Sequence, residues 1–260
     1  MKELNAKIIY NRSYKGLFYK LGLECEIKDY VPGQFVMIEV QGQGLLLRRP
    51  FGIARIGDGV AEICYKVVGQ GTRALSKVPQ GATLSVIGPL GNGFNVGAAC
   101  GKTALLIAGG YGIAPLLGLA EALILGKGAE KVQLIYGAKG EGQLIYLEAF
   151  EKMGVETEIT TEDGSAGTKG LATDLIKKHI GQKDLVVYSC GPAPMLEQVQ
   201  KSFRGKGVSC QLSLESHMAC GFGVCLGCVV EKKNGEMVRI CTEGPVFEAS
   251  ELGRSPLLRG

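Results

Sequence analysis

The chain changes its hydrophobic rhythm once, near residue 102. Before that point, apolar residues come in short runs rich in Val, Ile, Tyr and Phe: 7–10, 18–23, 34–40, 51–55, 61–68 and 83–87. Gly, Pro and Asp separate them at Pro32-Gly33, Gly57-Asp58-Gly59 and Pro79-Gln80-Gly81. Six short strands at this spacing predict a small antiparallel barrel. The glycine-rich stretch 88–101 reads as a linker. After Lys102, strand-length apolar runs at 104–108, 132–136, 155–160 and 185–189 alternate with helix-length amphipathic segments at 114–125, 144–152, 171–179 and 193–203. Strand alternating with helix predicts a doubly wound parallel sheet. A fifth strand over 209–214 leads directly into a cysteine-rich tail. The expected organisation is therefore an all-β barrel (1–98), an α/β domain (99–214) and a small C-terminal domain (215–260), with no internal repeat.

Composition narrows the classes. Glycine supplies 40 of 260 residues, without a three-residue period and with only nine prolines, which excludes a collagen-like chain and a Pro/Gly-rich tail. Such an excess marks tight turns or backbone that approaches a ligand closely. The net charge of +4 is spread over mixed acidic and basic residues, so no stripe for nucleic acid is expected. The first residues lack an apolar signal core, and the apolar run 113–125 is broken by Glu121 and too short to span a bilayer. These features predict a cytoplasmic protein. Nine cysteines in a reducing compartment, an odd number, favour metal or redox chemistry over disulfides.

The tail carries the sharpest motif. Cys220, Cys225 and Cys228 stand as C-x4-C-x2-C, and Cys241 follows after twelve residues. The first three match the plant-type spacing for a [2Fe–2S] cluster. Gly221, Gly223 and Gly227 let one loop curl so that thiolates converge and backbone N–H groups aim at sulfur, which stabilises an anionic cluster. A structural zinc site would more often pair two C-x2-C units, and a Rieske centre needs two histidine ligands. The chain has only His179 and His217, and neither has that spacing. Cys25, Cys64, Cys100 and Cys210 read as small hydrophobes.

Two glycine turns point to a nucleotide. The segment 104–115 is a strand, a turn with Gly109, Gly110 and Gly112, and a helix start; it lets backbone N–H groups meet a pyrophosphate, although it is not the G-x-G-x-x-G fingerprint. A bland strand-to-helix turn explains it as well. Cys190, Gly191 and Pro192 follow the fourth strand, at the same carboxyl edge of the sheet, where open α/β folds bind ligands. Cys190 either faces a nicotinamide or is a buried strand end. In the barrel, Arg48 and Arg49 precede Pro50, Phe51 and Gly52. A guanidinium in an apolar strand wants an anion, and phosphate suits it; Arg48 equally reads as a solvated residue. Tyr65, Lys66 and Val67, then Gly71 and Thr72, form a segment able to line a flat ring and cap a phosphate.

Taken together, these motifs resemble the ferredoxin-NADP reductase superfamily over essentially the whole chain. Arg49-Pro50-Phe51-Gly52 is similar to its flavin motif, with Gly52 where a serine is usual, so one side-chain hydroxyl is lost. Gly71-Thr72 resembles its flavin-pyrophosphate element. Gly109-Gly110-x-Gly112-x-x-Pro115 and Cys190-Gly191-Pro192 resemble its pyridine-nucleotide motifs, and 161–170 is a familiar segment of the same domain. The runs 88–94, 215–228 and 241–247 resemble the electron-transfer subunits of heteromeric, NAD-dependent dihydroorotate dehydrogenases.

The resemblance implies FAD in the barrel, NAD at the sheet edge and a [2Fe–2S] cluster on Cys220, Cys225, Cys228 and Cys241. It also implies an FMN-containing catalytic partner in a heterotetramer, serving pyrimidine synthesis. No Ser/His/Asp or Cys/His catalytic set is visible, as expected of a subunit whose substrate chemistry is done elsewhere. Two alternatives stay open: a subunit of an NAD(P)H–ferredoxin oxidoreductase or sulfide dehydrogenase, and a zinc-stabilised, non-enzymatic interaction module. Lys139, after the second α/β strand, reads either as a cation that meets a 2′-phosphate or, more simply, as a surface lysine; NAD over NADP is implied by the resemblance alone.

Overall fold

A computed structural model describes residues 2–24, 26–27, 29–42, 44–126 and 128–253. Six antiparallel strands close into a barrel: β1 (Glu3–Lys15), β2 (Phe18–Glu24), β3 (Phe35–Ile38), β4 (Arg49–Gly57), β5 (Val60–Lys66) and β6 (Thr83–Leu90), in the order β1-β2-β5-β4-β3-β6. Alternation fills the barrel. Ala6, Ile8, Leu21, Leu23, Phe51, Ile53 and Ile63 point inward, and charged or polar residues point out. β1 is far longer than the apolar run 7–10 because its outward positions are Glu3, Asn5, Lys7 and others whose side chains stay in water. A short helix, α1 (Gln70–Leu75), follows β5.

The second layer is a seven-stranded sheet with β7 (Thr103–Gly109), β8 (Lys131–Ala138), β9 (Glu156–Thr161), β10 (Thr168–Lys169), β11 (Leu185–Cys190), β12 (Ser209–Ser213) and, past the short hairpin β13 (Val229–Glu231) and β14 (Met237–Arg239), the last strand β15 (Val246–Glu248). Its order is β10-β9-β8-β7-β11-β12-β15, parallel except for β15. The helices are α2 (Ile113–Leu125), α3 (Leu147–Lys152), α4 (Ala172–Leu175) and α5 (Ala193–Phe203). The order doubles back beside β7 and β11, so the carboxyl ends of these two strands open a crevice.

α2 is apolar nearly all round because it is packed on two sides. One side lies on the sheet. The other meets β4 so closely that a Cβ on Gly118 would fall 2.6 Å from the Ala54 carbonyl oxygen. This helix seats the barrel on the seven-stranded sheet. The cysteine-rich tail is seated too: Phe35, Met37 and Leu90 of the barrel share one buried core with Leu105, Ile107, Cys228, Val238, Ile240 and Cys241.

Several expectations change. The stretch 88–101 is not a slack linker. Residues 88–90 finish β6, and Asn92 bonds the Thr242 and Glu243 carbonyls at 3.2 and 3.0 Å. The glycines there permit close packing: a Cβ on Gly91 would meet the Gly244 carbonyl oxygen at 2.6 Å. The helix expected at 144–152 starts at Leu147, because Tyr146 adopts φ +61°. The segment 171–179 is α-helical only to Leu175 and continues as a 3-10 turn over Ile176–Lys178. β10 and β15 were not expected. Two and three residues are too few to show a period, and β15 has its partner 35 residues upstream in β12. Cys64 and Cys210 are buried small hydrophobes, but Cys100 is exposed. Cys25 lies outside the described residues.

Candidate functional site

The flavin-motif residues of β4 alternate in direction. Phe51 turns into the barrel and meets Tyr65 of β5 edge-on, with ring centroids 5.8 Å apart. Pro50 and Gly52 turn outward toward α2, where a Cβ on Gly52 would lie 3.3 Å from Pro115 Cγ. These residues, with Lys66, Gly112 and Cys190, line a cavity of ≈ 290 Å³ between barrel, sheet and tail.

Arg48 and Arg49 have different fates. Arg48 donates to Glu3 at 2.7 Å, Glu39 at 3.1 Å and the Ser85 hydroxyl at 2.8 Å, so the barrel itself neutralises it. Arg49 has no carboxylate partner among the described residues; its side-chain hydrogen bonds go to the Leu47 and Arg48 carbonyls. It lies over the start of α1, where a Cβ on Gly71 would fall 2.9 Å from Arg49 Nε. Thr72 Oγ1 accepts from the Val68 and Gly69 N–H groups at 2.9 and 3.2 Å, which fixes this turn. An unpaired guanidinium over a bare glycine turn suits a phosphate. Arg49, Val67, Gly71 and Thr72 stand beside the cavity and are not part of its lining.

The two glycine turns of the sheet touch. β7 and β11 are neighbours in register, Ala108 opposite Cys190. A Cβ on Gly112 would lie 2.3 Å from the Cys190 carbonyl oxygen, and one on Gly191 would lie 3.0 Å from Gly109 Cα. The close approach leaves bare backbone at the crevice floor. Gly109, Gly110, Gly191 and Pro192 line a second cavity of ≈ 690 Å³, whereas Gly112 and Cys190 belong to the first. The second cavity has the size of a small-molecule cleft. Lys139 lines it together with Glu162, so that cation shares the cleft with an acid. Cys190 is buried; burial first, then Glu215, raise its thiol to about 12, so it stays protonated at neutral pH.

Two residues that the sequence did not single out as ligands stand here as well. Tyr111, between Gly110 and Gly112, donates its hydroxyl to Glu215 Oε2 at 2.9 Å, and both line the first cavity. The available signal was an aromatic flanked by glycines in a ligand-facing turn.

In the tail, the four cysteines come as two pairs. Cys220 Sγ and Cys225 Sγ are 3.4 Å apart, and the Cys225 N–H points at Cys220 Sγ at 3.5 Å. Cys241 faces Cys228 through a hydrogen bond. Burial works to raise the Cys220 thiol, but the N–H groups of Cys225, Phe222 and Val224 bring it down to about 6. Gly221 and Gly223 have φ of +82° and +89°, which a side chain would strain. A Cβ on Gly221 would lie 2.4 Å from Met37 Cγ, so the loop lies directly on β3 of the barrel. Among the described residues no three His, Cys, Asp or Glu side chains gather about one point as a single metal ion requires. Two thiols for each of two irons is the arrangement a binuclear cluster uses.

Residues 215–253 match the family described as the iron–sulfur cluster binding domain of dihydroorotate dehydrogenase B, and residues 106–201 match the oxidoreductase NAD-binding domain. The electron transfer subunit of dihydroorotate dehydrogenase B (NAD(+)) from Caldanaerobacter subterraneus subsp. tengcongensis is 42% identical, over 96% of this chain and 98% of the relative. The chain belongs to this family of electron transfer subunits. The subunit of the same name from Fusobacterium nucleatum subsp. nucleatum is 40% identical over 95% of this chain and 93% of its own length. A solved NADH-dependent reduced ferredoxin–NADP oxidoreductase is 29% identical with a TM-score of 0.85, covering 98% of this chain and 91% of that one. Membership of this family of oxidoreductase subunits accounts for a flavin-reductase fold that carries a cluster domain at its C-terminal end. No helix among the described residues is long and apolar enough to cross a membrane.

Proposed function

We propose that this chain is the electron-carrying subunit of a heteromeric dihydroorotate dehydrogenase. It takes electrons from an FMN-containing catalytic partner through a [2Fe–2S] cluster and FAD and delivers them to NAD in pyrimidine synthesis, in the cytoplasm and within a heterotetramer. The observation that carries this reading is the seating of the cysteine loop, at Gly221, against Met37 of β3, the barrel strand whose Phe35 also borders the cavity beside Pro50, Phe51 and Gly52.

Each group has a fitting place. Cys220, Cys225, Cys228 and Cys241 would hold the cluster, with N–H groups already aimed at Cys220. Arg49 and the bare turn at Gly71 and Thr72 would hold the flavin pyrophosphate, while Pro50, Phe51, Gly52, Tyr65 and Lys66 would border the ring, with Val67 beside them. Gly109, Gly110, Gly112, Cys190, Gly191 and Pro192 would receive NAD. Flavin supplies the interchange between two-electron hydride exchange with nicotinamide and single-electron exchange with a cluster.

The protein's own part is binding, orientation and exclusion. Gly112 and Gly191 let backbone approach the nucleotide without side chains between. Cys190 is a neutral, buried sulfur that would add no charge beside a nicotinamide bound at this edge. Arg48, already neutralised by Glu3 and Glu39, leaves the phosphate to Arg49.

The test is a visible spectrum and iron assay of the anaerobically purified chain, followed by reconstitution. Flavin bands, about two irons per chain and NAD reduction by dihydroorotate once the catalytic subunit is added are expected. A colourless protein with one zinc would sink the redox reading. Co-purification with a ferredoxin-type iron–sulfur subunit in place of the dihydroorotate-oxidising one would transfer it to the ferredoxin oxidoreductases.

A further inference from the structure

The loop between Cys220 and Cys225 is held from outside as well as by its own sulfur contacts. The peptide joining Gly223 to Val224 carries both holds. Its carbonyl, on Gly223, accepts from the Arg239 guanidinium at 3.2 Å, and its N–H, on Val224, points at the Cys220 sulfur. A planar trans peptide aims carbonyl and N–H in opposite directions, so a grip on one aims the other. The Gly223 N–H, one peptide earlier, points at the Cys241 sulfur. The backbone at Gly223 thus serves one sulfur of each pair. Such a peptide needs a hold, because Gly223 has φ +89° and a glycine lets its flanking peptides turn at little steric cost.

Arg239, at the end of β14, is itself locked. Its Nε donates to Glu243 Oε2 at 3.0 Å, and one terminal nitrogen donates to Glu243 Oε1. The Arg239 backbone N–H adds a bond to Glu243 Oε2 at 2.7 Å, and the Thr242 hydroxyl another at 2.9 Å. The barrel secures the far side, since Asn92, two residues past β6, donates to the Thr242 and Glu243 carbonyls. The other terminal nitrogen of the fork is the one that reaches Gly223, and a Cβ there would lie 3.3 Å from it and 2.9 Å from Thr242 Cγ2. A lysine offers one point charge and cannot hold carboxylate and carbonyl together in this planar geometry.

We propose that Arg239 is the positioning residue of the cysteine loop: its guanidinium, pinned by Glu243, holds the 223–224 peptide with its N–H on sulfur and so sets the reduction potential of the bound cluster by geometry, not by charge. The proposal deepens the functional reading above and rests on it. Hydrogen bonds to the sulfurs favour the more negative, reduced cluster, so release of this peptide lowers the potential. The guanidinium's own charge is matched by the Glu243 carboxylate that it grips with two nitrogens.

The measurement is the midpoint potential of the cluster in the anaerobically purified full chain, by redox titration read with electron paramagnetic resonance, beside an iron assay. Arg239→Met should change the oxidised-to-reduced ratio at fixed potential about tenfold toward oxidised, a lowering of about 59 mV for one electron. That variant also leaves Glu243 unpaired, so the double variant Arg239→Met/Glu243→Gln removes the extra charge and should keep the lowering. Arg239→Lys, which has the charge and lacks the fork, should fall with the other two. An unaltered potential in the double or the lysine variant would show charge alone at work and overturn the proposal, as would an unaltered potential in Arg239→Met. If Arg239→Met holds no iron, the lysine variant decides in the same terms; if no Arg239 variant holds iron, the residue only supports the fold and the proposal falls. An unaltered protein without a [2Fe–2S] signal would sink the functional reading and the proposal with it, whereas a cluster whose potential ignores Arg239 overturns the proposal alone.

Discussion

The hydroxyl of Tyr146 donates to Glu62 Oε1 at 2.7 Å, and that bond crosses from the nucleotide domain to the barrel. Glu62 is only 6% exposed and also accepts from Tyr10 at 2.8 Å. Arg55 and Lys20 supply positive charge at 3.4 and 4.0 Å, and the Lys20 ammonium lies over the rings of Tyr14 and Tyr146 at 3.8 and 4.3 Å. The Tyr146 N–H donates to the Tyr14 hydroxyl at 3.0 Å, and Lys15 donates to the Leu144 carbonyl at 2.8 Å. The loop before α3 is thereby pinned to β1, β2 and β5, and the joint holds the two halves of the crevice in fixed relation.

Breaking this joint should lower stability. Tyr146→Phe removes one hydrogen bond to a buried carboxylate and should cost about 1–3 kcal/mol in denaturant unfolding. The pH dependence has a definite sign. Burial raises the Glu62 pKa, but the bonds from Tyr146 and Tyr10 and the charges of Arg55 and Lys20 outweigh it and hold it below its ordinary value of 4.5. The carboxylate therefore contributes stability above that pH, and the contribution is lost as pH falls through the lowered value. Melting curves between pH 3 and 7 on the protein and on Glu62→Gln should converge at the acidic end. Parallel curves would remove Glu62 from the account.

The two adjacent arginines should separate cleanly. Arg49→Ala removes the guanidinium that lacks a carboxylate partner and should weaken FAD retention by tenfold or more, about 1.4 kcal/mol per decade. Arg48→Ala breaks contacts with Glu3, Glu39 and Ser85 and should change melting by about 1 kcal/mol while FAD stays bound. Flavin release on gel filtration, read beside thermal melting, distinguishes them. Equal FAD loss in both variants would contradict the division of roles.

Much of this was legible in the chain because the signals were local. Strand and helix periods gave the barrel and the parallel sheet, and the cysteine spacing marked the tail. The missing parts depend on distant partners. β15 is three residues whose strand character comes from pairing with β12. The stretch 88–101 looked like a linker because its glycines carry no hydrophobic signal, yet Gly91 and Asn92 are where the barrel meets the tail. Arg48 and Arg49 are the same residue type side by side, and only the fold shows that Glu3, 45 positions away, takes Arg48. Tyr111 and Glu215 are 104 residues apart, and nothing in either local context foretells their bond.

Gly112 should tolerate no side chain. An added Cβ would sit 2.3 Å from the Cys190 carbonyl oxygen and 2.8 Å from the Gly191 nitrogen, both backbone atoms that move only if β7 and β11 part. Gly112→Ala should therefore cost about 2–3 kcal/mol and abolish nucleotide binding in whatever folds. Gly142→Ala, at a position where a Cβ meets nothing within 4 Å, is the matched control and should melt with the unaltered protein. Calorimetry with NAD+ reads the first effect and thermal melting the second.

Cys225→Ser tests whether the tail conducts electrons or only holds shape. Cys225 is exposed and forms the outer half of the pair with Cys220, while Cys228 and Cys241 are buried in the shared core, so its loss should spare the fold. On the proposed reading, hydride exchange between NADH and FAD would use the crevice of β4, β7 and β11, whose cavities Cys225 does not line. Iron content should fall well below two per chain and electron flow to the catalytic partner should stop, while flavin bleaching by NADH keeps most of its rate. Stopped-flow flavin absorbance reads one half of the path, and dihydroorotate-dependent NAD reduction in the reconstituted complex reads the whole. If both halves fail together with an unchanged melting temperature, the cluster is coupled to the nucleotide crevice itself, and the simple series of three sites is wrong.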